Sequence, residues 1–213
     1  MKYCHVPSPI GHALAGVAAG WLAMRVASGQ SPVTSSQSPV PSHQSRSRTG
    51  WELVTGGWRL ATGNWRLFAA AGMLPDIDLL FGAHSGPTHG VGAAVIAGAL
   101  AWGVLRAGGG PRASGLGVRV GLAVAAAYAS HTLLDWLGSD TSAPVGIMAL
   151  WPFSDAYYES RAHVFMAISR RYWLPEFWTW NVVALARELV ILVPLVALAA
   201  KISSPAAAVS SQE

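Results

Sequence analysis

Apolar residues gather into long runs at residues 10–27, 90–107, 116–137 and 178–200, separated by polar or glycine-rich stretches. Runs of this length without strict alternation read as helices. At ~1.5 Å per residue they measure about 27–35 Å, comparable to a bilayer hydrocarbon core of ~30 Å. Pro9 suits the first turn of the first helix. A shorter helix is predicted from Asn64 to Leu74, where Pro75 disfavours helical geometry at the residue before it. Residues 108–115, Gly-Gly-Gly-Pro-Arg-Ala-Ser-Gly, form a turn.

The intervening stretches have other characters. Residues 28–50 are rich in Ser, Pro and Gln, a composition that buries too little surface to fold, and read as a disordered insertion. Residues 51–63, with Trp51 and Trp58, read as interfacial. Residues 138–177 make a long aromatic loop of the lid or binding type, with a short amphipathic helix expected near 159–171. The tail from residue 201 reads as disordered, so residues 1–200 form one domain.

Composition turns these helices into membrane helices. The 213 residues are 52% hydrophobic and only 11% charged, against about 25% in soluble domains. Mean hydropathy is +0.38. Abundant Ala and Gly suit close helix packing in lipid, and ten tryptophans suit the interface. The expectation is an all-α, antiparallel helical bundle, integral to the membrane and multi-pass. Net charge is +4, with Lys and Arg scattered at segment ends, which gives no nucleic-acid footprint. The lone Cys4 excludes an internal disulfide. No Ala-x-Ala cleavage site follows the first run, so it reads as an uncleaved anchor.

Against this background the polar residues stand out. Residues 74–90 read Leu-Pro-Asp-Ile-Asp-Leu-Leu-Phe-Gly-Ala-His-Ser-Gly-Pro-Thr-His-Gly. A polar turn between helices is the common meaning of such a stretch. Here, however, Asp76 and Asp78 close the second helix, and His84 and His89 precede the third. His12 begins the first helix, while His131 and Asp135 share a face one turn apart at the end of the fourth. In an antiparallel bundle these positions all fall at one end. Locally extended chain would put Asp76 and Asp78 on one face.

Imidazoles and carboxylates together suit a borderline divalent metal such as Zn²⁺. The seven residues exceed the four ligands of a structural site and suit two or three ions that activate water. Asp78 or Asp135 is expected to double as the catalytic base. A phosphate-binding glycine loop, a Ser nucleophile elbow and a His-Glu-x-x-His motif are all absent from the sequence.

The set His12, Pro75-Asp76-x-Asp78, His84-x-Gly86-x-Thr88-His89 and Ser130-His131-x-x-x-Asp135, with Pro144 and Leu150-Trp151-Pro152-Phe153 downstream, resembles the membrane-bound metal-dependent hydrolases. That family is also called the LexA-binding, inner-membrane-associated hydrolases. The resemblance runs from residue 9 to about residue 160. Two positions depart from it: Ser85, where the family usually has Arg, and Gly90, where it usually has Ser. A more distant similarity, in ligand types and helical setting, is to zinc-dependent phospholipase C. These resemblances imply a metal-dependent hydrolase of the inner membrane acting on a phosphoester such as a phospholipid. Membrane lipid and a small-molecule or lipid substrate would be its partners.

Two other readings stay open. One is a non-enzymatic membrane protein with a structural or sensory metal site. The other is a transporter using Arg187 and Glu188, although charges at that depth read first as a structural pair. Arg25, Arg46, Arg48, Arg59, Arg106, Arg112, Arg119 and Lys201 collect at the end opposite the His/Asp cluster, against Lys2, Arg161, Arg170 and Arg171 at its own end. That bias puts the cluster away from the cytoplasm, whereas a LexA-binding label implies a cytoplasmic surface.

Deletion of residues 31–47 should leave expression and thermal stability in detergent near wild type, because a Ser/Pro insertion contributes little core. Loss of folded protein on that deletion would show that the segment packs.

Overall fold

The computed structural model of the chain describes residues 7–28, 64–81, 84–109, 113–141 and 143–203. These residues form five α-helices: α1 (Pro9–Ala27), α2 (Trp65–Met73), α3 (Val91–Gly109), α4 (Ala113–Leu137) and α5 (Phe177–Ser203). Two 3-10 segments, Leu74–Phe81 and Pro87–His89, connect α2 to α3. Among the described residues there is no strand, only the isolated bridges Gly138 to Phe165 and Ile147 to Tyr158. The fold is all-α, and the helices predicted from the apolar runs are present within a few residues. The expected insertion lies outside the described residues except for Ser28, as do residues 51–63. α5 runs through Pro194 to Ser203, into the expected tail, and residues 204–213 lie outside the described set.

Three helices are long and apolar enough to cross a membrane: α1, the Gly115–Leu137 part of α4, and α5. The apolar part of α3, Val91–Ala107, is shorter. The nine residues of α2 reach about 13 Å and span no bilayer.

α1 starts cleanly because Ser8 caps it: its side chain accepts from the Gly11 N–H at 3.1 Å, and Pro9 follows at the first helical position. The core is built around Val17, Trp21, Phe68, Ala123, Val124, Ala127 and Ala199, joining α1, α2, α4 and α5. α1 and α2 touch backbone to backbone. A Cβ on Gly16 would stand 2.5 Å from the Phe68 carbonyl oxygen, and one on Gly72 would stand 2.5 Å from that of His12. Only glycine permits this approach, the small-residue packing of helices in lipid.

Two local expectations change. Leu74–Phe81 is not extended but a 3-10 helix. Pro75 has no N–H to continue the α-helical ladder, and the chain tightens so that the Leu74 N–H reaches Ala71 O. The helix expected near 159–171 is absent. Its amides are used elsewhere: Ser160 N–H donates to Trp136 O at 2.8 Å, and Val164 N–H to Leu137 O at 2.8 Å. They satisfy the last carbonyls of α4 instead of each other.

Gly16→Ala should destabilise the protein by about 1–3 kcal/mol through overpacking. Gly103→Ala, where a Cβ meets nothing within 4 Å, should stabilise by roughly 0.5–1 kcal/mol. Thermal unfolding of both variants in detergent checks the contrast.

Candidate metal centre

The bundle brings all of the sequence-predicted residues, His12, Asp76, Asp78, His84, His89, His131 and Asp135, to one place. α1 delivers His12 from its first turns, and α4 delivers His131 and Asp135 from its last turns. The 3-10 segments between α2 and α3 bring the other four. His12, His89 and His131 are fully buried.

Asp135 lies among three imidazoles. Its Oδ1 is 3.2 Å from His12 Nε2, and its Oδ2 is 3.3 Å from His89 Nε2 and 3.1 Å from His131 Nε2. The Asp76 Oδ1 approaches His131 Nε2 at 3.7 Å and His89 Nε2 at 3.9 Å. The rings of His12 and His131 stack with centroids 3.7 Å apart. His131 Nδ1 is 2.8 Å from the Gly72 carbonyl oxygen. A carbonyl only accepts, so Nδ1 carries the proton and Nε2 keeps its lone pair for the cluster.

Asp78 is placed differently. Although Asp76 and Asp78 do not share an extended face, they lie on opposite sides of the His89 ring. Asp78 Oδ2 is 3.3 Å from His89 Nδ1 and accepts from the Thr88 hydroxyl at 2.8 Å, while Oδ1 is 3.3 Å from His84 Nδ1. Burial pushes the Asp78 carboxyl up, but the hydrogen bonds of His84, His89 and Thr88 outweigh it and hold it well below the usual carboxylate range. Tyr128 ties α4 to this shell by donating to Thr88 O at 2.8 Å.

Several buried atoms in the middle have no hydrogen-bond partner in the protein: both nitrogens of His12, Nε2 of His89 and His131, Oδ1 of Asp76, and both oxygens of Asp135. Buried polar atoms are almost always satisfied, so a ring of unsatisfied ones facing each other needs an explanation. Three overlapping groups bring potential ligand atoms within 4.8 Å of one another: His12, Asp76 and His131; Asp76, His84 and His89; and His89, His131 and Asp135. These His/Asp clusters can hold metal ions, and the mixed nitrogen and oxygen donors fit a divalent cation.

The YdjM inner membrane protein family matches the chain over residues 8–208. The chain belongs to that family. With its three candidate spans, this makes it a multi-pass inner-membrane protein. No curated protein and no solved structure matches it.

Of the two positions that depart from the resembled motif in this YdjM-family chain, Gly90 has a structural explanation, and nothing in the structure explains Ser85 in place of Arg. Ser85 is buried at φ 64°, and its carbonyl accepts from Met148 N–H at 3.0 Å. Gly90 lies under the same loop: a Cβ there would stand 2.8 Å from Trp151 Cβ and 2.9 Å from Met148 O. The loop occupies the room a serine side chain needs. Arg187 and Glu188 do not pair with each other. Arg187 Nη2 donates to His163 O at 3.1 Å, and Glu188 Oε1 accepts from the Ser8 N–H at 2.6 Å.

Sequence reasoning named Thr88 without a role and missed Tyr128 and the Gly72 carbonyl, and it did not join Ser8 to Glu188. Thr88 and the Ser8-Pro9 cap carried a signal, through adjacency to His89 and the helix-start pattern. The Gly72 carbonyl carried none.

Gly90→Ser should displace the 148–151 loop and lower stability by about 1–3 kcal/mol. Thermal unfolding, with limited proteolysis of the loop, checks it.

Proposed function

We propose that the protein is a membrane-bound, metal-dependent hydrolase acting on a phosphoester, with phospholipid as the substrate class. The observation that carries this reading is the ring of buried, mutually facing His and Asp atoms with no protein partner. Membership in the YdjM inner membrane protein family supports the membrane setting, and the resemblance of the motif set supports the hydrolase chemistry. The overlap of the three ligand groups through Asp76, His89 and His131 supports more than one ion, with Zn²⁺ suited to the donor set.

In this reading His12, Asp76, His84, His89, His131 and Asp135 hold the metal. A divalent ion bound there would supply Lewis acidity and lower the pKa of a water molecule. Asp78 holds His84 and His89 in orientation through its two oxygens, the carboxylate–histidine support typical of such centres. Both Asp135 oxygens face only the imidazoles of the cluster, whereas those of Asp78 are held by the outer groups His84 and Thr88, so Asp135 is better placed than Asp78 to accept a proton from the attacking water. Thr88 fixes Asp78, and the Gly72 carbonyl fixes the tautomer of His131.

An apolar hollow of about 370 Å³ beside the cluster supports an amphipathic substrate. Leu74, Ile77, Ile96 and Leu100 line it together with Thr88, whose hydroxyl donates to Asp78 of the cluster. The hydroxyls of Thr88 and Tyr128 are both engaged in hydrogen bonds, which leaves a surface suited to hydrocarbon next to one suited to a polar head.

The test is metal quantification on purified protein together with hydrolysis of phospholipid in vesicles. Wild type should carry a divalent transition metal. His131→Ala and His84→Ala should lose most of it, and His163→Asn, half exposed in the loop after α4, should keep it. Asp135→Asn should lower the hydrolysis rate by about 10²–10⁴-fold, the usual worth of a general base. Protein that takes up no metal on reconstitution sinks the metal centre. Metal-loaded protein without activity on any phosphoester sinks the hydrolase and leaves a structural or sensory site.

A further inference from the structure

Glu188 is a fully buried carboxylate within the candidate span α5. An ionisable group at such a place is costly and calls for a function. It is far in sequence from the cluster, and no part of the proposed chemistry uses it.

Its surroundings are specific. Oε1 accepts the Ser8 N–H at 2.6 Å, and Oε2 accepts the Ser8 hydroxyl. The same hydroxyl oxygen accepts from Gly11 N–H at 3.1 Å, and Ser8 O accepts from His12 N–H at 3.1 Å. A Cβ on Gly11 would stand 2.7 Å from Glu188 Oε2, so the glycine leaves the carboxylate its space. Glu188 therefore grips the capping residue of α1, at the positive end of the helix dipole. His12 follows within one turn.

His12 needs such a grip. His131 is oriented by the Gly72 carbonyl, and His89 by Asp78 and Thr88. His12 Nε2 faces Asp135 inside the cluster at 3.2 Å, but its Nδ1 has no partner in the protein, so no outer group holds the ring. Its position is set by the first turn of α1, by Asp135 and by stacking on His131. We propose that Glu188 is a positioning residue for the metal centre: through Ser8 it fixes the first turn of α1 and with it the ring of His12. α5 donates no ligand, yet it sets the place of one. This rests on the metal reading given above.

The test compares wild type with Glu188→Ala, Glu188→Gln and Ser8→Ala in detergent, using Co²⁺ as the probe. The readouts are Co²⁺ affinity, the visible ligand-field spectrum and the melting temperature. Glu188→Ala should weaken Co²⁺ binding by about 10–100-fold, the usual effect of removing an outer partner of a ligand, and should shift the spectrum. Glu188→Gln keeps the shape and one acceptor, so its loss should be smaller. Val190→Ala, on the exposed face of α5, should change neither. If Glu188→Ala does not fold, Glu188→Gln and Ser8→Ala decide. Variants that lower the melting temperature while leaving affinity and spectrum at wild type overturn the proposal and assign Glu188 to bundle stability alone. Wild-type protein that binds no Co²⁺ overturns the metal centre itself and this proposal with it.

Discussion

Burying ionisable groups in an apolar bundle is the constraint on which the rest of this structure depends. Unpaired charge is expelled from such an interior, yet His12, His89, His131 and Asp135 are buried together at one end of the helices. The bundle meets the cost in two ways. Outer groups are satisfied by the protein: Asp78 by His84, His89 and Thr88, His131 Nδ1 by a backbone carbonyl, and Glu188 by Ser8. Inner atoms are left facing one another. A network satisfied at its rim and open at its centre is poor design for a core, because half-satisfied polar networks cost more than apolar packing. It is sound design for holding a cation, whose ligands have to present lone pairs inward while their other atoms are fixed.

Helix packing and site chemistry are the same problem here. The backbone contact between Gly16 and Gly72 draws α2 against α1. That contact holds Gly72 with its carbonyl within 2.8 Å of His131 on α4. A larger residue at either glycine would separate the helices and withdraw the acceptor that sets the His131 tautomer. The stacking of His12 on His131 needs the same closeness. Stability and ligand geometry are thus tied to one crossing point, which explains why small residues are needed there independently of any preference for flexibility.

How much of this was legible in the sequence follows from which signals are periodic. The apolar runs located α1, α3, α4 and α5 to within a few residues, because length and hydrophobicity dominate in lipid. Alternating direction then brought His12, Asp76, Asp78, His84, His89, His131 and Asp135 to one end without any coordinates. The pattern failed where backbone hydrogen bonding decides. Leu74–Phe81 tightens into a 3-10 helix around Pro75, and this puts Asp76 and Asp78 on opposite sides of His89 instead of on one face. Carbonyl oxygens leave no trace in a sequence, so the part played by Gly72 was hidden. The adjacency of Arg187 and Glu188 suggested a pair, but neighbouring helical residues point apart, and each finds its partner on another segment.

The loop after α4 shows why irregular chain is placed beside the His/Asp cluster. Helices that end in an apolar setting leave N–H and C=O groups that water cannot reach. α3 begins just after His89, and its first amides, of Val91 and Gly92, donate to Ala149 O at 2.9 Å and Trp151 O at 2.8 Å. α4 ends just after Asp135, and its last carbonyls, of Trp136 and Leu137, accept from Ser160, Val164 and Phe165. One loop thus satisfies the start of the helix that follows His89 and the end of the helix that carries His131 and Asp135. Had residues 159–171 formed their own helix, the Val164 and Phe165 amides would be spent internally and the Leu137 carbonyl at the end of α4 would be left open near Asp135. The same loop closes over Gly90 and draws on the Ser85 carbonyl. Of the two residues that depart from the resembled motif, Gly90 lies where the loop needs a small side chain, so the chain's own packing accounts for it.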